Sequence, residues 1–194
     1  MTGPSRKQMM AALKAHARMP ITNASIDAHA RSVETESDRG AIIITAAMIE
    51  DTLTQAIRSK MAHLNSKELS DLFDYSGPMG TFSAKIKSAQ AIGIIDRATR
   101  SHIEVIKEMR NACAHSQQPL TFADNELRDA VFSMLTEDAV ASYDGDVDYI
   151  RKSFVLMAAF FAHIIVEGDV RKGVAKASAI IEGMMAQPRN DTDS

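Results

Sequence analysis

A chain of 194 residues, 45% of them hydrophobic, is long enough for one domain with a sizeable core. Its formal charge of -3 lacks the broad basic face that sequence-independent duplex binding needs to displace counterions. The absence of Trp, 5% aromatic content and 12 Met favour helices packed with Leu, Ile, Ala and Met over a β-rich core. A single Cys113 excludes an internal disulfide and a cysteine-built metal site, and it fits a reducing compartment.

Residues 5–19 predict a short helix that Ser5 can cap and Pro20 stops. Met9, Leu13 and Ala17 share one face, while Arg6, Lys7, Lys14 and Arg18 make the rest basic. Residues 1–20 therefore read as an N-terminal arm that packs on the body or on a partner subunit. They lack the continuous apolar run of a signal peptide, which places the chain in the cytoplasm. Residues 21–37 are polar and weakly patterned, and no helix is predicted there.

From Asp38 to about Leu64, Ile42, Ala46, Ile49, Leu53, Ile57, Met61 and Leu64 recur at steps of four and three, the mark of one buried helical stripe. Ser37 or Asp38 can cap this helix. Ser66 opens a short turn that ends near Phe73, and a Gly/Pro-rich loop follows at residues 74–80. Thr81 or Ser83 starts the next helix, with Phe82, Ile86, Ala89 and Ile92 on its apolar face and Gly93 as its stop. Asp96 caps a longer helix reaching about His115, with Ile103, Ile106, Met109, Ala112 and Cys113 inward. Residues 124–136 predict another helix and residues 141–148 a loop. Residues 149–170 then form the most hydrophobic helix, with Ile150, Phe154, Met157, Phe161 and Ile164 in one stripe. Its run FVLMAAFFAHIIV is shorter than the about 20 apolar residues of a membrane span and reads as a core helix. Residues 174–185 predict a last helix, and residues 187–194 a disordered polar tail.

Arg110, Asn111 and His115 are the candidate catalytic residues. An Arg offers a permanent planar cation suited to phosphate, and a His a general acid or base near neutral pH. Together they could bind a phosphodiester and deprotonate a ribose 2′-hydroxyl without metal. Five residues on a continuous helix set Arg110 and His115 about 140° apart. They converge only if the helix ends near His115 or a second subunit supplies the other half. A structural reading stands beside this: His115 suits a helix C-terminus, and Arg110 can pair with Glu50, Asp51 or Glu108. Glu50, Asp51 and Lys85 are candidate supporting residues. His16, His29, His63, His102 and His163 show no metal-ligand spacing, so neither a metal nor another cofactor is expected. His163, in an apolar helix, reads as a hydrogen-bonded core histidine.

The run LFDYSGPMGTFSAKIKSAQAIGII, then IKEMRNACAH, and the upstream DRGAIIITAAMIEDTL together resemble the core of the mannitol operon repressor (MltR) family. That resemblance covers residues 38–122. It implies an all-helical transcriptional regulator that acts through a protein partner rather than a helix-turn-helix. The RNxxxH string at Arg110, Asn111 and His115 also resembles the Arg-to-His motif of HEPN domains. In their ribonuclease members, Arg and His from two subunits line a cleft at the dimer interface.

The expectation is an all-α fold, HEPN-like and MltR-like: a single helical bundle of six or seven helices over residues 21–186. It is expected to form a homodimer, to bind a protein partner and to stay off membranes. The leading function is regulation. The alternative is a metal-independent ribonuclease or toxin acting on RNA through Arg110 and His115.

Overall fold

The computed structural model describes residues 5–16 and 19–168. Among these, nine α-helices and one 3-10 turn follow one another with no strand. The helices are α1 (Arg6–His16), α2 (Asn23–Ser32), α3 (Asp38–Lys60), α4 (Ser66–Phe73), α5 (Phe82–Ala91), α6 (Arg97–His115), α7 (Asn125–Phe132), α8 (Glu137–Ala141) and α9 (Val147–Glu167). The 3-10 turn, Val33–Thr35, sits between α2 and α3. The expected last helix and polar tail lie outside the described residues.

α3 is the centre of the bundle, packing against α9, α6 and α5. Its stripe Ile42, Ala46, Ile49, Leu53 and Ile57 is fully buried, as the spacing predicts. Ser37 caps it by accepting from the Gly40 N–H. α9 is the second core helix and buries Ile150, Phe154, Phe161 and His163. Asp146 caps its start and Gly168, at φ 62, its end. α3 and α9 are both long and apolar enough to cross a membrane, yet 50% and 56% of their most apolar windows lie buried inside the bundle.

Two elements exceed the predicted number. The segment read as weakly patterned contains α2, opened by a capping box in which Thr22 and Ser25 satisfy each other's backbone N–H groups. Ile26, Ala30 and Val33 anchor it, one buried residue per turn. The helix predicted at residues 124–136 ends early, at Phe132, and an unpredicted short helix, α8, follows it where Thr136 accepts from the Ala139 N–H. Some expected core residues face solvent: Ile44 and Ala47, expected to widen the α3 stripe, Ile92, at 45% exposure, and Ala112. Ile92 is the C-cap of α5, where the chain turns through Gly93 at φ 75.

In the loop after α4, a Cβ on Gly77 would lie 2.4 Å from the Asp71 carbonyl oxygen, and one on Gly80 2.3 Å from that of Asp74. Neither glycine has positive φ, so close backbone approach is what demands it. Ahead of α2, the Gln55 side chain accepts from the Ile21 N–H at 2.7 Å and donates to the Ile21 carbonyl at 2.9 Å.

Candidate functional site at the end of the sixth helix

α6 begins where Asp96 accepts from the Thr99 N–H at 2.7 Å, and that bond holds the Asp96 carboxyl below its ordinary range. Ile103, Ile106, Met109 and Cys113 hold the helix against the core. It runs without a break to His115, and Ser116 is extended. Arg39, at the start of α3, donates to the carbonyls of Ala114 at 3.3 Å and Ser116 at 3.4 Å. α3 and α6 are therefore antiparallel, and a guanidinium covers the carbonyl end of α6, where the helix dipole favours a cation.

Arg110 is half-buried and donates to Asn111 Oδ1 at 3.2 Å. It makes no ion pair among the described residues, so the expected partners Glu50, Asp51 and Glu108 are engaged elsewhere or stand apart. Glu108 pairs with Lys107 at 2.8 Å. The Lys107 hydrogen bond, and more weakly one from Asn111, hold its carboxyl below the usual range. Asn111 thus links Arg110 to Glu108 along the surface. His115 is exposed, one turn beyond Asn111 and on the same side. Because the helix does not end or change pitch between them, Arg110 and His115 occupy different faces within one chain. A joint site for both requires a second subunit.

The supporting trio does come together, between α3 and α5. Lys85 Nζ lies 2.7 Å from Glu50 Oε1, with the two side chains only 10% and 20% exposed. Asp51 is adjacent. Desolvation raises its pKa, Lys85 opposes that rise and Glu50 adds to it. Among the described residues, no hydrogen bond or ion pair joins this trio to Arg110 or His115. Since the folded-state pKa of Asp51 lies above the ordinary 3.8, its carboxyl adds stability only below the unfolded value and loses it as pH rises through the folded one. Asp51 is exposed, so solvent damps the effect: Asp51→Asn, which copies the neutral form, is expected to raise the urea midpoint only slightly at neutral pH and to match wild type in acid. Equal midpoints at neutral pH would mean that the carboxylate is as well solvated in the fold as in the unfolded chain.

Sequence reasoning missed a third cluster at the same end of the bundle. Arg151 on α9 donates to Asp38 Oδ1 at 2.6 Å and to the carbonyls of Val33 at 2.6 Å and Glu36 at 2.5 Å. Asp38 Oδ2 accepts from the Phe122 N–H at 3.1 Å. The available signal is a cation among the apolar residues of α9, beside buried Ile150. At the opposite end, His163 is 0% exposed, with Nδ1 2.8 Å from Asn23 Oδ1 and Nε2 3.0 Å from Asp27 Oδ1. It is the hydrogen-bonded core histidine the sequence predicts, and it ties α9 to α2.

No family model matches the chain, and no curated protein matches it. Among solved structures, the X-ray structure of the MtlR-HPr complex from Escherichia coli is similar, with a TM-score of 0.58 and 15% sequence identity. The likeness covers 74% of this chain and 98% of that chain. At that identity it is a likeness of fold, and it carries no residue assignment. The chain has an all-helical, MtlR-like fold.

Proposed function

We propose that this protein is a cytoplasmic transcriptional regulator of the mannitol operon repressor type, acting through protein contacts rather than a helix-turn-helix. The observation that carries the reading is the fold likeness to nearly the whole E. coli MtlR chain, a chain captured in complex with HPr. The partner we assign is accordingly an HPr-type protein. The formal charge of -3 supports indirect action on DNA. Nothing in the residues reads out a sugar alcohol, so the regulated operon is left open.

The test is isothermal titration of the full chain with the HPr of its source organism. Saturable binding is expected. Absence of binding at high micromolar concentration would remove HPr from the proposal and return the search to other protein partners.

One observation favours a second reading. Arg110 lacks a carboxylate partner among the described residues and His115 is exposed beside Asn111, as a HEPN-like ribonuclease site shared between two subunits requires. RNA cleavage in EDTA, wild type beside His115→Ala, separates the two. Regulation predicts no cleavage by either protein. Cleavage by wild type that disappears in a folded His115→Ala would put catalysis first. His115 is exposed, so the substitution leaves the core alone.

A further inference from the structure

No α1 residue among the described ones is buried. The helix carries Arg6 and Lys7 in its first turn, Lys14 in its last, and no acidic residue. Met9 and Met10 are each 49% exposed and Leu13 is 65% exposed. An isolated helix of 11 residues is marginal in water, because nucleation is costly and most helical stability comes from packing an apolar face. The Ile21–Gln55 bonds pin the chain to α3 just beyond this helix, so only residues 17–20 connect the pin to α1.

The body carries a surface that matches it. An open groove of about 670 Å³ runs between α6 and α7. Val105, Met109, Leu127 and Ala130 supply its apolar floor, and Glu104, Glu108, Glu126 and Asp129 its acidic rim, with Lys107 the one lining cation. Glu104, Glu108 and Asp129 already pair with Arg100, Lys107 and Arg128; the cations of these pairs are part-buried, while the carboxylates are 39%, 68% and 66% exposed and so face solvent. Glu126 forms no ion pair among the described residues and is exposed. On α6 the groove reaches from Ser101 to Ala112, about 16 Å of helix, and an 11-residue helix such as α1 is about as long.

We propose that α1 of one copy docks into the α6–α7 groove of a second copy, and that this reciprocal exchange of arms builds a homodimer. Met9, Met10 and Leu13 face the apolar floor, and Arg6 and Lys7 meet the acidic rim. Charge complementarity selects the occupant: a helix with only basic charges fits a rim with four carboxylates. The exchange is isologous, each copy giving an arm and receiving one. The inference goes beyond the regulatory reading and does not depend on it.

Light scattering on the full chain, with Leu13→Asp and the pair Glu126→Lys/Asp129→Lys beside it, is the first test. All three altered residues are exposed, so each variant should keep the wild-type far-UV spectrum. The wild type is expected to be a dimer, and each variant to dissociate at least about tenfold more readily. The second test mixes one chain carrying Leu13→Cys with another carrying Ala130→Cys under mild oxidation. The native Cys113 is buried and stays out of the reaction. A disulfide between the two chains in the mixture is expected. A monomeric wild type, a dimer indifferent to Leu13→Asp, or a doubly substituted Leu13→Cys/Ala130→Cys chain that closes the bond within itself would each overturn the exchange.

Discussion

Arg151→Ala is expected to cost about 2–3 kcal/mol of folding stability, between the about 1 kcal/mol of an exposed pair and the about 3–5 kcal/mol of a fully buried one, because this pair is part-buried. The side chains of Arg151 and Asp38 are 16% and 21% exposed, so neither is well solvated. Without the guanidinium, Asp38 keeps only the Phe122 N–H, and the carbonyls of Val33 and Glu36 lose their side-chain donor. The loss should therefore exceed that of an exposed pair such as Lys67–Asp71, where about 1 kcal/mol is the ceiling. Arg151→Lys should recover little, because an ammonium cannot fork between a carboxylate and two carbonyls. Urea unfolding followed by circular dichroism measures all of this. A loss below about 1 kcal/mol would mean that water replaces the guanidinium at these carbonyls and that the cluster is solvated. Arg151→Met combined with Asp38→Asn should cost less than the two single changes added together, since no uncompensated charge is then left buried.

Phe154→Ala is expected to cost about 3–5 kcal/mol, as transfer energy plus a cavity that the neighbours cannot close. Phe154 is fully buried, and its ring lies 5.6 Å from that of Phe122 at a tilt of 45°. Phe122 is itself held by the Asp38 bond, so Phe154 and Arg151 act on one segment from two sides. Their combined loss should fall short of the sum, because either change alone frees the Phe122 segment. Phe154→Leu should recover more than half of the loss, since it leaves a smaller cavity. A loss under about 2 kcal/mol for Phe154→Ala would mean that the α3–α9 core repacks around the hole.

The parts of the fold that were legible in the sequence are those whose signals are local. The α3 stripe, the Ser37 and Asp96 caps and the Gly93 stop each depend on residues within a turn or two of one another. α2 was not legible because Ile26, Ala30 and Val33 supply one apolar residue per turn among polar ones, too thin a stripe to read without its Thr22–Ser25 box. At the candidate site, the grouping of Arg110, Asn111 and His115 could be read, and so could their divergence around a continuous helix. The pairing of Lys85 with Glu50 joins positions 35 residues apart, and that of Arg151 with Asp38 positions 113 apart. A periodicity argument has no reach at such separations. Tertiary packing alone decides which of 22 basic residues meets which of 25 acidic ones.

The loop after α4 separates two properties that usually travel together. Tyr75 is 93% exposed, the profile of a position free to vary. Two and five residues further on, Gly77 and Gly80 have backbone carbonyls where any side chain would begin. Depth below the surface is therefore a poor guide to mutability in this stretch. Its substitution alphabet shrinks to one letter at two positions on the rim of the molecule, while the aromatic ring beside them is open to replacement.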